Sequence, residues 1–298
     1  MNFNLKGALY IAVGAASYGI LATFVKYANL QGIGTAGLVF SQYVFGALAL
    51  VILSFFFVKK EVVHSEIEPK KNSKLKLVLY GSFLGLTSSF YYLSIQYVPV
   101  SVGIILLMQT IWMGVVLELF VARHLINSTK IIGAVVALIG TALAAKVFDG
   151  DIVLNWKGVA YGFLAAASYT GVLFATSKIG LEFPVFKRSK YLIFGGLIVI
   201  ILFWNTAIWV EFNFLVFLKW GSFLGIFGTI LPPVLFSKGM PRVGTGLGSI
   251  ISALEIPVSV FSAYLVLNEN ISFLQWLGIV IILFAVFLIN RNQLRTKA

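Results

Sequence analysis

Residues 6–18 read KGALYIAVGAASY, and residues 157–169 read KGVAYGFLAAASY. Lys6/Lys157, Gly7/Gly158, Tyr10/Tyr161, Ala15/Ala166, Ala16/Ala167, Ser17/Ser168 and Tyr18/Tyr169 are identical pairs 151 residues apart. Each copy opens an apolar run of about twenty residues, the length that crosses a bilayer as a helix. Two Ala/Gly-rich helices can match by chance. Seven identities in thirteen positions, at the head of matched series of helices, favour an internal repeat of half the chain.

The composition names the solvent of that repeat. The 298 residues are 60% hydrophobic and 11% charged, whereas soluble domains are about half apolar and a quarter charged. The chain therefore reads as an integral membrane protein with several spans. With no cysteine it has neither a disulfide framework nor a thiolate metal site. The net charge of +12 sits in loops between apolar runs. It points to membrane topology and contact with lipid rather than to a nucleic-acid partner. The first run resembles a signal peptide, but its copy lies mid-chain, so both read as retained helices.

Ten runs are long enough to span: 7–25, 36–58, 77–97, 100–121, 131–148, 158–177, 191–210, 216–237, 243–267 and 272–290. Aligning the first with the sixth gives two units of five, over 1–150 and 151–298. The stretch 133–140 aligns with 278–285 at an offset of 145, because the first half has the longer basic loop at 59–76. Five is odd, so the second unit enters the membrane from the opposite side, as in many secondary transporters. The expected fold class is all-α integral membrane, with ten transmembrane helices as two inverted five-helix repeats around a central cavity. With the N-terminus inside, only Lys26, Lys146, Lys157 and Lys219 of the 22 Lys and Arg fall outside. That bias places both termini in the cytoplasm, and the cell membrane is the expected location. The 59–76 loop reads as a topological determinant, with anionic lipid binding as the alternative.

Polar groups at membrane depth are costly and usually face a cavity or a partner. Glu255 lies near the middle of the ninth run. Thr245, Gly248, Ser252, Glu255, Ser259 and Ser262 fall at spacings of 3 and 4, one helical face. The alternative is close packing through small residues, with Glu255 bonded to a neighbouring hydroxyl. Pro257 is expected to free the carbonyl of Ala253. The third run carries a similar face: Ser82, Gly85, Ser89, Tyr92 and Gln96, bordered by Ser88 and Tyr91. The fourth offers Gln109 and Trp112, the second Ser41 and Gln42, and the repeated stretches Ser17, Tyr18, Ser168 and Tyr169. The candidate substrate-binding set is Glu255, Ser252, Gln109, Trp112, Tyr92, Ser89, Tyr91, Tyr18, Tyr169 and Gln42. Tyr10 and Tyr161 read as interface anchors.

Glu118 is expected to snorkel or to pair with Arg123 or Lys130, and Lys26 and Lys178 to snorkel at helix ends. Pro232-Pro233 is expected to break the eighth helix and Pro257 the ninth, with no breaks at equivalent depth in the first half. No catalytic motif, metal cluster or cofactor signature occurs, and both histidines, His64 and His124, fall in loops. The chain is not expected to be an enzyme.

The whole pattern resembles the drug/metabolite transporter superfamily, EamA type. Pro257, Asn268-Glu269, Gln275 and Gly278 match the closing motif of that family, with Asn268 in place of its usual glycine. In the first half the equivalents are Trp112, Arg123 and His124, so the structural role of the loop glutamate is lost there. The resemblance implies a cavity built from helices one to four and six to nine, with five and ten peripheral. It also implies a secondary transporter of small polar metabolites, with a similarity to aromatic amino-acid exporters. Amino acids are the leading substrate class and protons the candidate coupling ion. Quaternary amines such as choline are the rival, because tyrosine faces and one carboxylate can form a cation cage. A membrane-embedded lipid enzyme or lipid translocator is the reading from another class.

Overall fold

In the computed structural model the described residues are 3–57, 72–121, 128–144 and 155–295. The loop at 59–71, Arg123, His124 and the side chain of Lys130 lie outside them. All ten expected spans are present. The first is α1 (Phe3–Gly19) with α2 (Leu21–Leu30), the second α3 (Thr35–Phe57) and the third α4 (Ser73–Tyr97). The fourth joins α5 (Val100–Leu107) to α6 (Thr110–Val121), and the fifth is α7 (Ser128–Ala144). The sixth is α8 (Trp156–Lys178) and the seventh α9 (Val185–Trp204), followed by the short α10 (Thr206–Glu211). The eighth runs through α11 (Phe214–Val216), α12 (Ser222–Leu224) and α13 (Leu231–Val243). The ninth joins α14 (Thr245–Ser252) to α15 (Glu255–Leu267), and the tenth is α16 (Phe273–Arg295). Six of these segments are long and apolar enough by composition alone to cross a bilayer. Below, the near side is the membrane face where the chain begins, and the far side the opposite face.

The repeat reappears as backbone geometry. In the fourth span Gly103 N–H donates to Pro99 O, Gln109 N–H to Leu106 O and Ile111 N–H to Met108 O. In the ninth, at an offset of 145, Gly248 donates to Gly244, Leu254 to Ile251 and Ile256 to Ala253. Each span therefore starts with an eight-residue helix and breaks after it, α5 at Met108–Gln109 and α14 at Ala253–Leu254. The first half does have a break at matching depth, contrary to expectation, and it needs no proline. In the ninth span Pro257 lies in the first turn of α15, where a missing N–H costs little. The Ala253 carbonyl it frees accepts from Ile256 N–H at 3.0 Å.

The eighth span bends differently. Pro232 and Pro233 open α13, and the two missing donors leave the carbonyls of Gly228 and Thr229, inside the π-helical turn at 225–230, without their i+4 partners; a second π-helical turn lies upstream at 217–221. Helix packing relies on glycine, which lets backbones touch where hydrocarbon tails give no driving force. A Cβ on Gly81 would meet the Leu192 carbonyl, one on Gly85 that of Gly196, and one on Gly195 that of Val78. These contacts clamp α4 to α9. Likewise α7 packs on α16, where Gly140 faces Gly278, so the fifth and tenth spans form their own pair.

Two details of the closing motif have structural causes. Asn268 ends α15 at φ 54°, the left-handed region that glycine and asparagine tolerate. Ser272 and Gln275 form a capping box at the start of α16, with Ser272 N–H to Gln275 Oε1 at 2.9 Å and Gln275 N–H to Ser272 Oγ at 3.3 Å.

Candidate functional site

The break at Ala253–Leu254 sets Glu255 at the first position of α15, ten residues after Thr245 and twelve before Leu267. At 1.5 Å per residue that is about 15 Å from one end and about 18 Å from the other. The side chain is 3% exposed. Insertion scales put a charge at such depth at about 2.5–3.5 kcal/mol. Gly19, at the turn between α1 and α2, lets the first span pass directly over the Glu255 carbonyl. The matching crossing of the sixth and fourth spans is made by Thr170 and Thr110, whose hydroxyls bond at 2.7 Å.

Tyr18, Tyr91, Tyr92 and Tyr169 surround the Glu255 carboxylate with Leu21, Leu84, Thr87, Ser88 and Leu107, around a cavity of about 30 Å³. That volume suits one or two waters. Among the described residues Tyr169 is the only side-chain donor to Glu255, at 3.4 Å to Oε2. Ser252 flanks Tyr169, although its hydroxyl donates to Ser249 O at 2.7 Å. The Tyr91 and Ser259 hydroxyls adjoin, and neither has a hydrogen bond within normal distance among the described residues. Gln42 accepts from Tyr92 Oη at 2.9 Å, and its Nε2 is buried without an acceptor among the described residues. Among the described residues several orphaned polar atoms thus gather around one buried carboxylate, where buried polar groups are ordinarily hydrogen-bonded.

The cavity is bounded on both sides. Towards the far face lie the Tyr92–Gln42 bond and that from Trp204 Nε1 to Ser89 Oγ at 3.0 Å. Towards the near face, Phe236 packs on Tyr18 at 5.7 Å and on Tyr169 at 6.4 Å between ring centroids.

Of the expected site residues, Glu255, Tyr18, Tyr91, Tyr92 and Tyr169 line this cavity, and Gln42, Ser89 and Ser252 stand directly behind it. Gln109 and Trp112 are not brought there. Trp112 Nε1 donates to Gln109 Oε1 at 3.0 Å, Gln109 Nε2 donates to Ile105 O at 3.3 Å, and Trp112 is 38% exposed. The pair satisfies itself on the outer surface. The stripe on α4 also divides. Ser82 is half-buried and bonds its own backbone, Gly85 packs on α9, and Gln96 belongs to the far end.

Three charged residues make contacts beyond those expected, and the expected pairing of Glu118 with Arg123 or Lys130 falls on residues outside those described. Arg188 is 2% exposed rather than a loop cation, because α9 begins six residues earlier than its apolar run. Its Nη1 donates to Ser237 O at 2.9 Å and its Nη2 to Thr176 O at 2.7 Å. Pro241 leaves the Ser237 carbonyl without its helical donor, and Thr176 lies in the last turn of α8, where carbonyls are also orphaned. One guanidinium thus ties the sixth, seventh and eighth spans together at the near end. Glu118, 3% exposed, sets its carboxylate against Gly244 and Gly246 at the start of α14. Glu269 does the same at the far end, accepting from Val100 N–H at the start of α5 at 3.3 Å. Each half thus supplies a glutamate to the positive end of the other half's broken helix. The role that His124 cannot fill is taken by Glu118, six residues earlier. Finally, α2 runs on to Leu30, so Lys26 turns inward and donates to Val98 O at 3.3 Å.

A search among curated proteins gives no match. One solved crystal structure, described only as that of a protein, superposes with a TM-score of 0.71 at 12% identity, covering 97% of this chain and 99% of that one. At that identity the likeness speaks for the fold alone. The model of the EamA-like transporter family matches twice, over residues 5–145 and 156–291. The chain therefore belongs to the EamA-like transporter family of the drug/metabolite transporter superfamily, with one copy of the family's unit in each half.

Proposed function

We propose that this transporter carries small polar metabolites, amino acids including aromatic ones first among them, by alternating access as an exporter in the cell membrane. The observation that carries the reading is the Glu255 carboxylate, buried at mid-depth among four tyrosines and held by one hydroxyl. Such a carboxylate can take a substrate ammonium or a proton, and the tyrosine rings suit an aromatic or cationic guest. The near side is assigned to the cytoplasm, because Lys187, Arg188, Lys190, Lys238 and Arg242 all lie at that end. A cavity of about 30 Å³ is too small for an amino acid, so loading requires one boundary to open. The far boundary of Tyr92–Gln42 and Trp204–Ser89 and the near boundary around Phe236 are the two gates. A choline-like substrate is the second reading, favoured by the tyrosine ring around a single carboxylate.

Counterflow into liposomes with labelled amino acids and choline, with and without a pH gradient, tests both. Wild type is expected to exchange amino acids, and Glu255→Gln to lose exchange while keeping the wild-type melting temperature. Wild-type rates and pH profile in Glu255→Gln would remove the carboxylate from the mechanism. Exchange of choline alone would select the second reading.

A further inference from the structure

Beyond the Tyr92–Gln42 boundary, at the far end, lies a second and much larger space of about 440 Å³. That is within the range of small-ligand sites, about 300–1,000 Å³. Lys26, Asn29, Thr35, Gln96, Trp204 and Glu211 are prominent in its wall. None of the expected site residues belongs to it.

Its charges are arranged unusually. Lys26 contributes an ammonium with three N–H groups, and its one hydrogen bond among the described residues is the 3.3 Å contact to Val98 O. Glu211 contributes a carboxylate fixed in place, since its Oε2 accepts from Gly37 N–H at 3.0 Å and its side chain packs on the backbone of Gly34. The two line one space yet form no direct ion pair with each other. Glu269, the carboxylate whose charge acts on Lys26, does not line this space and accepts from Val100 N–H. Trp204 spends its indole N–H on Ser89, leaving its ring as an apolar wall. Thr35 accepts from both Asn29 Nδ2 at 2.9 Å and Gln96 Nε2 at 2.6 Å, which braces the polar side.

We infer that this vestibule is a zwitterion-binding site, with Lys26 taking a carboxylate, Glu211 an ammonium, and Trp204 the side chain of a free amino acid. Opposite charges that line one ligand-sized space without pairing to each other match the α-carboxylate and α-ammonium of such a molecule, and neither a simple amine nor a simple acid satisfies both. The inference rests on the transporter reading above and narrows its substrate class. It places a station outside the far gate, where a solute sits while the central cavity is closed.

The test is binding of L-leucine, isoamylamine and 4-methylpentanoate to the purified full chain, by calorimetry. The three ligands share one side chain and differ in which charges they carry. Wild type is expected to bind leucine at least about tenfold more tightly than either analogue, the loss expected of one charge-assisted hydrogen bond. Lys26→Gln and Glu211→Gln are each expected to lose a similar factor for leucine, and Lys26→Arg to retain binding. Ile198→Leu, an exposed position on α9 that lines neither cavity, is expected to bind leucine as wild type does. Equal affinity for leucine and isoamylamine, or unchanged leucine binding in Lys26→Gln, would overturn the vestibule assignment and leave the transporter reading intact. Leucine binding lost in Glu255→Gln alone would move the site to the central cavity. If wild type binds none of the three, the amino-acid reading falls and the vestibule site falls with it. The analogue comparison on wild type stands even if a variant does not fold.

Discussion

Replacing Arg188 with alanine gives a prediction whose size can be worked from two bonds. The guanidinium donates to Ser237 O at 2.9 Å and to Thr176 O at 2.7 Å, and both carbonyls are buried. A hydrogen bond from a charged donor contributes about 1.5–3 kcal/mol, so losing two costs about 3–6 kcal/mol. The cost has a specific origin at Ser237. Its carbonyl has no helical donor because residue 241 is proline. Pro241→Ala restores that N–H, so Arg188→Ala should cost about 1–2 kcal/mol less in the Pro241→Ala background. The four proteins of this cycle would be unfolded by a denaturing detergent in mixed micelles, followed by far-UV circular dichroism. A cost below about 1 kcal/mol for Arg188→Ala, or the same cost in both backgrounds, would refute the accounting in which one side chain supplies both orphaned carbonyls.

Two further outcomes follow from packing and capping. Gly195→Leu should prevent α4 and α9 from closing, since even a Cβ there collides with the Val78 carbonyl. A loss of folded protein on size-exclusion chromatography is expected, whereas the exposed Ile198→Leu should behave as wild type. Glu118→Gln should lower stability by about 0.3–1 kcal/mol through the lost charge at the start of α14, read as a lower melting temperature at low ionic strength. Glu269→Gln should do the same through α5. No change in either variant would remove the glutamates as helix-end partners.

Glu255 is legible in the sequence because it is an acid in the middle of an apolar run, with its small and hydroxylated neighbours at helical spacing. The tyrosines Tyr18 and Tyr169 are legible because the repeat marks them. Arg188 is not, because Lys187-Arg188-Ser189-Lys190 has the composition of a loop and only tertiary contacts extend α9 through it. The position of Glu118 is only partly legible for a related reason. Near a helix end an acid has water and basic neighbours within reach, and the pattern does not show that a distant helix starts beside it. Gln109 and Trp112 fail differently. A face is projected at a constant turn per residue, and the break at Met108–Gln109 resets that phase. The amide and indole then satisfy each other locally, an option that composition does not reveal. The matching break in the first half is invisible because no proline announces it.

The shared hydrogen-bond register of the two interrupted spans has a consequence for motion. If each half adopts the other's present bend, the result is an arrangement related to the present one by a two-fold rotation about an axis in the membrane plane, in which access changes sides without any new local geometry. Threading each half on the coordinates of its counterpart would therefore draw the alternative state directly. The two ends of that exchange are not equal in energy, because Glu255 on one arm corresponds to Thr110 on the other. Under the mechanism proposed above, what the carboxylate carries sets the balance point of an otherwise even-handed seesaw.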